Sequence, residues 1–355
     1  MAKALSEYYG DVVYMGPITT RMEWFGMVID GLARKILNKR YDFQRSKWFA
    51  RRLAVKVRAK LGKESFDYIV APAAANAIAY LDNVNVPIVF VSDTTFALMI
   101  EYYQGFSNYL SMSVRDGNAL AKLAMERSDL VLFPSEWAAA SARDDYCIDS
   151  SKIHVIPFGA NIDSIPSREI ALNRKRSSKC KMLMLGVDWQ RKGGDIAFET
   201  LIALESNHGI KAELTVCGCN PPMGLVHDRM IIIEFLDKEI PGQAVRLAQL
   251  YMETDYLLLP TRSECYGVVF CEASSYGVPS IATDTGGVSS VVTDGKNGYL
   301  LSESARGNEY AALIAGIESN NSRYEELCVS SRNEYEAKLN WDSWAKQFVS
   351  LTSAL

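Results

Sequence analysis

Short runs of apolar residues recur along this chain, and helical stretches with spaced apolar residues lie between them. In the first half the strand candidates are Asp11–Met15, Tyr68–Pro72, Ile88–Ser92, Leu130–Pro134 and Ile153–Pro157. Helical stretches such as Gly117–Arg127 and Glu136–Tyr146 separate them. The second half repeats the grammar with Met182–Val187, Glu213–Cys217, Met230–Glu234, Tyr256–Pro260, Ser280–Thr283 and Gly298–Leu301. A strand apolar at nearly every position is buried on both faces, and such strands alternating with helices form parallel sheets. Two such blocks imply an α/β protein with two doubly wound domains, and 355 residues are enough for two cores. The polar stretch Ile162–Ser178 lacks a period and reads as the linker, which sets domains of 1–165 and 166–338. The chain reads as opening in a helix, Ala2–Tyr9, and going straight to a strand, so the expectation is that the first domain's usual first strand has been lost or was never included in this sequence.

Composition narrows the setting. A net charge of −4 gives no global pull toward nucleic acid. The seven cysteines are odd in number and scattered, which fits reduced thiols rather than a disulfide framework. The opening MAKALSEYYGDV has no apolar core segment or cleavage site, and no run of about 18 apolar residues follows anywhere. A cytoplasmic protein is the expectation. Residues 47–61 form its one strong charge feature. Phe49, Leu53, Val57 and Leu61 make a stripe, with Lys47, Arg51, Arg52, Lys56, Arg58 and Lys60 around it. Such a helix either packs its stripe on the sheet or lies on anionic lipid at the inner face of a membrane.

The densest chemistry lies in SECYGVVFCEASSYGVPSIATDTGG, where Glu264 and Glu272 bracket seven mostly apolar residues. Glu264 follows a strand ending at Pro260, so it sits at the carboxyl edge of a sheet, where ligands of α/β folds bind. The segment Tyr266-Gly267-Val268-Val269 then opens a helix, whose first N–H groups suit a diphosphate. Glycine at 267 lets the backbone approach that group closely. Glu272 lies about two turns on and points back toward the same place. Earlier, Lys192 in QRKGG begins the first helix of the second domain, where a cation would pair with phosphate.

These segments stand in a fixed order: LGVDWQRKGGDIAFE, LTVCGCNPP, IIIEFLDKE and then LLLPTRSECYGVVFCEASSYGVPS. Order and spacing resemble the nucleotide-sugar-binding domain of retaining GT-B glycosyltransferases of family 4. Weaker echoes fall in Val91–Phe106 and Leu132–Asp163. The resemblance implies two Rossmann-like domains facing a cleft, the first binding acceptor and the second donor. It also implies that the helix in residues 339–355 crosses back to the first domain. Glu264, Lys192 and Asp93 would then be the catalytic residues. Arg191, Gly218, Phe235, Leu236, Tyr266, Gly267, Val268, Val269 and Glu272 would bind the donor, with Glu272 on the ribose and Phe235 and Leu236 near the base. The activity implied is metal-independent transfer from a nucleoside diphosphate sugar to a glycan, lipid-linked or other acceptor hydroxyl, with no cofactor.

Three departures qualify the resemblance. Where many members carry arginine after the first strand's glycine, this chain has Val187-Asp188-Trp189, and Arg191 is the nearest replacement. Ser92 stands where many carry a histidine near the sugar, and Asp93 beside it either orients hydroxyls or caps the next helix. The three histidines, His154, His208 and His227, lie away from every motif, which leaves no histidine base or histidine metal site. A nucleotide-sugar 2-epimerase of the same fold and a non-catalytic nucleotide-sugar-binding subunit remain the alternative readings.

Overall fold

The computed structural model describes residues 1–18, 23–62, 65–353 and 355. The chain divides into two units. One is Ala2–Ile156 with Phe348–Leu355; the other is Pro157–Gln347 with Met1. The division falls at Ile156–Pro157, some residues before the boundary drawn from the polar stretch, because the chain leaves its last N-terminal strand directly into the second unit's core. Ala160 already belongs to that core.

The N-terminal unit is built on a parallel sheet of four strands in sequential order: β1 (Ile69–Pro72), β2 (Ile88–Val91), β3 (Leu130–Phe133) and β4 (Ile153–Val155). β2 and β3 are buried at every position, as their unbroken apolar sequences require. Ser135 caps the helix Glu136–Asp144 by accepting the Ala138 N–H at 3.2 Å, and Ser46 caps Lys47–Leu61 through Phe49 N–H at 3.2 Å. Phe49, Leu53, Val57 and Leu61 are all buried, so this helix spends its apolar stripe on its own unit and meets solvent mainly with its charges. Asp11–Met15 does not form the expected strand. An extended segment becomes a strand only beside another one, and Val13 and Tyr14 stand exposed without a ladder partner among the described strands. The end of the last helix, Trp341–Thr352, packs here through Phe348, whose ring meets Tyr9 edge-on.

The C-terminal unit holds six parallel strands: β5 (Cys180–Leu185), β6 (Ala212–Cys217), β7 (Met230–Ile233), β8 (Tyr256–Leu259), β9 (Ser280–Thr283) and β10 (Gly298–Leu301). Their order is β10-β9-β8-β5-β6-β7. Strand order therefore reverses between β5 and β8. At such a switch point the chain leaves the two neighbouring strands toward opposite directions along the sheet, and a crevice forms at the carboxyl edge. The core is dense where these strands cross it, with Leu183, Met184 and Leu257–Leu259 fully buried. Helix Gly194–His208 packs against Gly307–Glu318, and Val268–Ser275 packs against Asn321–Ala337. All seven cysteines are free thiols.

Candidate active site

The loops after β5 and β8 meet at the switch point of the C-terminal sheet. Their backbones come so close that one residue must lack a side chain. Gly193 has φ +72°, and a Cβ there would stand 1.9 Å from the Pro260 carbonyl oxygen. The Arg191 carbonyl joins the loops by accepting the Arg262 N–H at 2.8 Å and the Thr261 hydroxyl at 3.2 Å. Asp188 shapes the first loop, its carboxylate accepting the Arg191 N–H at 2.9 Å and its carbonyl the Lys192 N–H at 3.0 Å.

This frame aims Lys192 inward. Its side chain is buried, its stem lies against Gly186, and its Nζ donates to the Glu264 carboxylate. Arg191 is near the same carboxylate at 3.8 Å, while its guanidinium donates to the Ser263 carbonyl at 3.0 Å. The Gly287 N–H donates to the Glu264 carbonyl at 3.2 Å, so the loop of Gly286 and Gly287 fixes the backbone that carries the glutamate.

Gly267, at φ +87°, turns the chain from that loop into helix Val268–Ser275. A Cβ there would stand 2.6 Å from the Phe270 ring, so the turn needs glycine for space as well as for conformation. The first N–H groups of a helix have no acceptor within it, and Val268 and Val269, in that first turn, border a cavity of about 290 Å³. Glu272, further along the helix, borders it too and is 3% exposed. Its carboxylate accepts from Lys238 Nζ and from the Tyr251 hydroxyl at 2.9 Å, and the Asn161 backbone N–H faces it. Burial pushes its carboxyl above the ordinary range, against the opposing pull of Lys238. The loops after β6 and β7 supply Gly218, Phe235 and Leu236, and Leu247 of helix Pro241–Glu253 completes an apolar wall.

The cavity thus combines an apolar wall, a buried carboxylate, a helix start and a cation–carboxylate pair. A flat ring can lie on Phe235 and Leu236, a diol can bond Glu272, and phosphate oxygens can reach Lys192 and the helix start. The structure brings Lys192, Glu264, Gly267, Val268, Val269, Glu272, Gly218, Phe235 and Leu236 to one cavity. Arg191 is not among the residues that line it, and its guanidinium lies 3.8 Å from the Glu264 carboxylate, which does line it.

Tyr266 does not border the cavity with its side chain. It is 1% exposed, its ring packs edge-on against Phe158 and its hydroxyl donates to the Phe158 carbonyl at 3.3 Å, so the side chain braces the core. Asp93 belongs to the N-terminal unit, where it is exposed just after β2. It does not cap the next helix. Thr95 does, its hydroxyl accepting the Leu98 N–H at 3.4 Å. Lys238 and Asn161 escaped the sequence pattern altogether. Each sits in a segment that stands out for other residues, and nothing in either local pattern marks a group that turns toward Glu272.

Among known families, residues 179–320 match the model described as glycosyl transferases group 1, and residues 12–164 match glycosyltransferase family 4. A D-inositol 3-phosphate glycosyltransferase from Corynebacterium urealyticum is 24% identical over 249 residues, covering 65% of this chain and 58% of that protein. D-inositol 3-phosphate glycosyltransferase 2 from Catenulispora acidiphila is 31% identical over 236 residues, covering 62% and 55%. The chain therefore spans little more than half the length of these two relatives. Among solved structures, Anabaena HepE in complex with UDP-glucose superposes with a TM-score of 0.64 at 16% identity, covering 85% of this chain and 82% of that one. Sucrose-phosphate synthase from Thermosynechococcus elongatus gives 0.64 at 18% identity, covering 86% and 78%. At these identities the two structures bear on the fold alone.

Proposed function

We propose, for a chain that belongs to glycosyltransferase family 4 in its N-terminal half and to the glycosyl transferases group 1 in its C-terminal half, that it moves a sugar from a nucleoside diphosphate sugar to an acceptor hydroxyl with retention at the anomeric carbon. One observation carries the reading: a single cavity at the switch point joins Phe235 and Leu236, Glu272, the start of helix Val268–Ser275, Lys192 and Glu264. The base would lie on Phe235 and Leu236, the ribose hydroxyls would donate to Glu272, and the diphosphate would bond the helix start and Lys192. Glu264 would accept from donor-sugar hydroxyls. HepE, a relative in fold, was solved with UDP-glucose, which fits a donor of this class.

In the proposed reaction the bond from the anomeric carbon to the phosphate oxygen breaks, and the acceptor oxygen bonds that carbon on the same face. The acceptor's proton passes to the departing phosphate oxygen. No protein base is then required. Lys192 neutralises the charge that develops on the leaving diphosphate, which is the work a metal ion performs in other transferases. The acceptor class reads as a glycan, lipid-linked or other hydroxyl.

The test is incubation with nucleoside diphosphate sugars and candidate acceptors while nucleoside diphosphate release is followed. Release that requires acceptor, persists with a chelator and gives a product of unchanged anomeric configuration is the expected result. Donor converted in place would show an epimerase, and binding without turnover a non-catalytic subunit; either overturns the reading.

The proposed enzyme works at an anionic membrane face. Helix Glu23–Leu37 packs through Gly26 and Ala33 and turns Trp24, Phe25, Met27, Val28, Leu32 and Ile36 to solvent. Residues 34–62 carry eleven lysines and arginines against a single acid, Asp42. An apolar helix face with a basic neighbourhood favours anionic lipid, and salt weakens the electrostatic share. Among the described residues no helix is long and apolar enough to cross a membrane. The expected result is co-sedimentation with phosphatidylglycerol-containing vesicles, reduced at least tenfold on pure phosphatidylcholine and by the pair Trp24→Ser and Phe25→Ser. Equal binding to both vesicle types, or none, would remove the membrane from the proposal.

A further inference from the structure

We propose that Lys238 competes with the donor's ribose for Glu272, so that binding a nucleoside diphosphate must move its ammonium off that carboxylate. The inference rests on the reading of Glu272 as the ribose ligand and adds to it a residue that sets how strongly ribose is recognised.

Access sets up the competition. Glu272 accepts from the Lys238 ammonium and from the Tyr251 hydroxyl. A ribose diol brings two more donors, which would fill the about four positions of an ionised carboxylate, and it must arrive from the cavity side where the ammonium stands. Tyr251 is fully buried inside the core. Lys238 alone can move: its side chain is 41% exposed, it borders the cavity, and it stands on the loop between β7 and helix Pro241–Glu253. Glu272 itself is 3% exposed, so its approaches are few, and the ammonium sits on one that opens to the cavity.

The geometry also says why a lysine is tolerated there. With no ligand, a buried carboxylate without a cation is costly, and Lys238 offsets that cost. The other charged or titratable groups beside Glu272 are Tyr251, Tyr276 and Cys271, none of which supplies a positive charge. Occupation by Lys238 therefore stabilises the empty site and weakens the filled one.

The experiment crosses two proteins with two ligand types. Wild type and Lys238→Met are titrated at alkaline pH with UDP, GDP and ADP, and with the 2′,3′-dideoxy form of whichever binds most tightly. The ribonucleotide is expected to bind Lys238→Met about three- to tenfold more tightly than wild type, with the dideoxy form unchanged between them. Lys238→Arg, which keeps a cation on Glu272, is expected to match wild type and shows that the gain is not a general loosening of the loop. Ribonucleotide affinity that is unchanged or lower in Lys238→Met, with the protein folded by thermal unfolding, overturns the proposal while leaving the donor reading intact. Equal gains for both ligands overturn it too, because the diol would then be irrelevant. If none of the three diphosphates binds wild type, the donor reading falls and this inference with it.

Discussion

Lys192→Ala is expected to lower turnover by about 100- to 1,000-fold while changing donor affinity by less than about tenfold, the range seen when one preorganised charge or donor is removed from a transition state. The asymmetry follows from where the charge develops. In the proposed complex the ground-state diphosphate would also be held by the start of helix Val268–Ser275, so losing one cation there should cost modest affinity. In the proposed reaction, negative charge would develop on the leaving oxygen before the acceptor's proton reaches it, beside a Lys192 that is buried. The fold should tolerate the change. Lys192 makes its contact with Glu264, which is partly exposed and still has Arg191 at 3.8 Å. Glu264→Ala is expected to cost turnover as well, and the double variant should lose less than the product of the two, since the residues act on one another. Steady-state kcat and KM with donor varied read all three. A kcat for Lys192→Ala within twofold of wild type would dismiss the lysine as the phosphate cation, whatever became of the binding.

The sequence carried the second unit almost completely, and the reason is physical. β8 and β9 at its centre are buried at every position, β8 as an unbroken apolar run, and the loop after β8 carries charged residues at the carboxyl edge. Lys192 and Glu264 stand a few residues past a strand end and Glu272 in the helix that follows, so the sequence put all three near one sheet edge, and the resemblance gave them their expected roles. What local pattern cannot give is direction. Tyr266 sits one residue before Gly267, and a backbone reading puts both at the site, yet the ring turns inward to Phe158. Lys238 turns toward Glu272 from a loop whose course depends on β7 and the helix after it. The N-terminal unit was less legible for a related reason. Asp11–Met15 has strand character, but a strand is a property of a pair, and no partner lies beside it among the described strands. Helix Glu23–Leu37 exposes its apolar face instead of burying it, which inverts the pattern that periodicity assumes.

Gly193→Ala is expected to destabilise the C-terminal unit by about 3–5 kcal/mol, more than most single substitutions do. Two effects combine. A residue with a Cβ at φ +72° costs about 1 kcal/mol for the left-handed conformation itself. The larger part is contact: the added carbon would stand 1.9 Å from the Pro260 carbonyl oxygen and 2.7 Å from its carbon. Both are main-chain atoms at the end of β8, so no rotamer change relieves them, and the loops after β5 and β8 must separate. Gly209 supplies the control. It has a similar φ of +66°, but a Cβ added there would meet nothing within 4 Å, so Gly209→Ala should cost at most about 1 kcal/mol, partly offset in the unfolded chain. Urea titration of both variants measures the difference. Equal midpoints would show that the two loops are not in the contact described. The same separation carries Lys192 away from Glu264, since Lys192 directly precedes Gly193 and is held by Asp188 of the same loop. Gly193→Ala that still folds at low temperature should therefore also lose nucleoside diphosphate affinity, whereas Gly209→Ala should keep it, which ties the stability of the switch point to the chemistry placed on it.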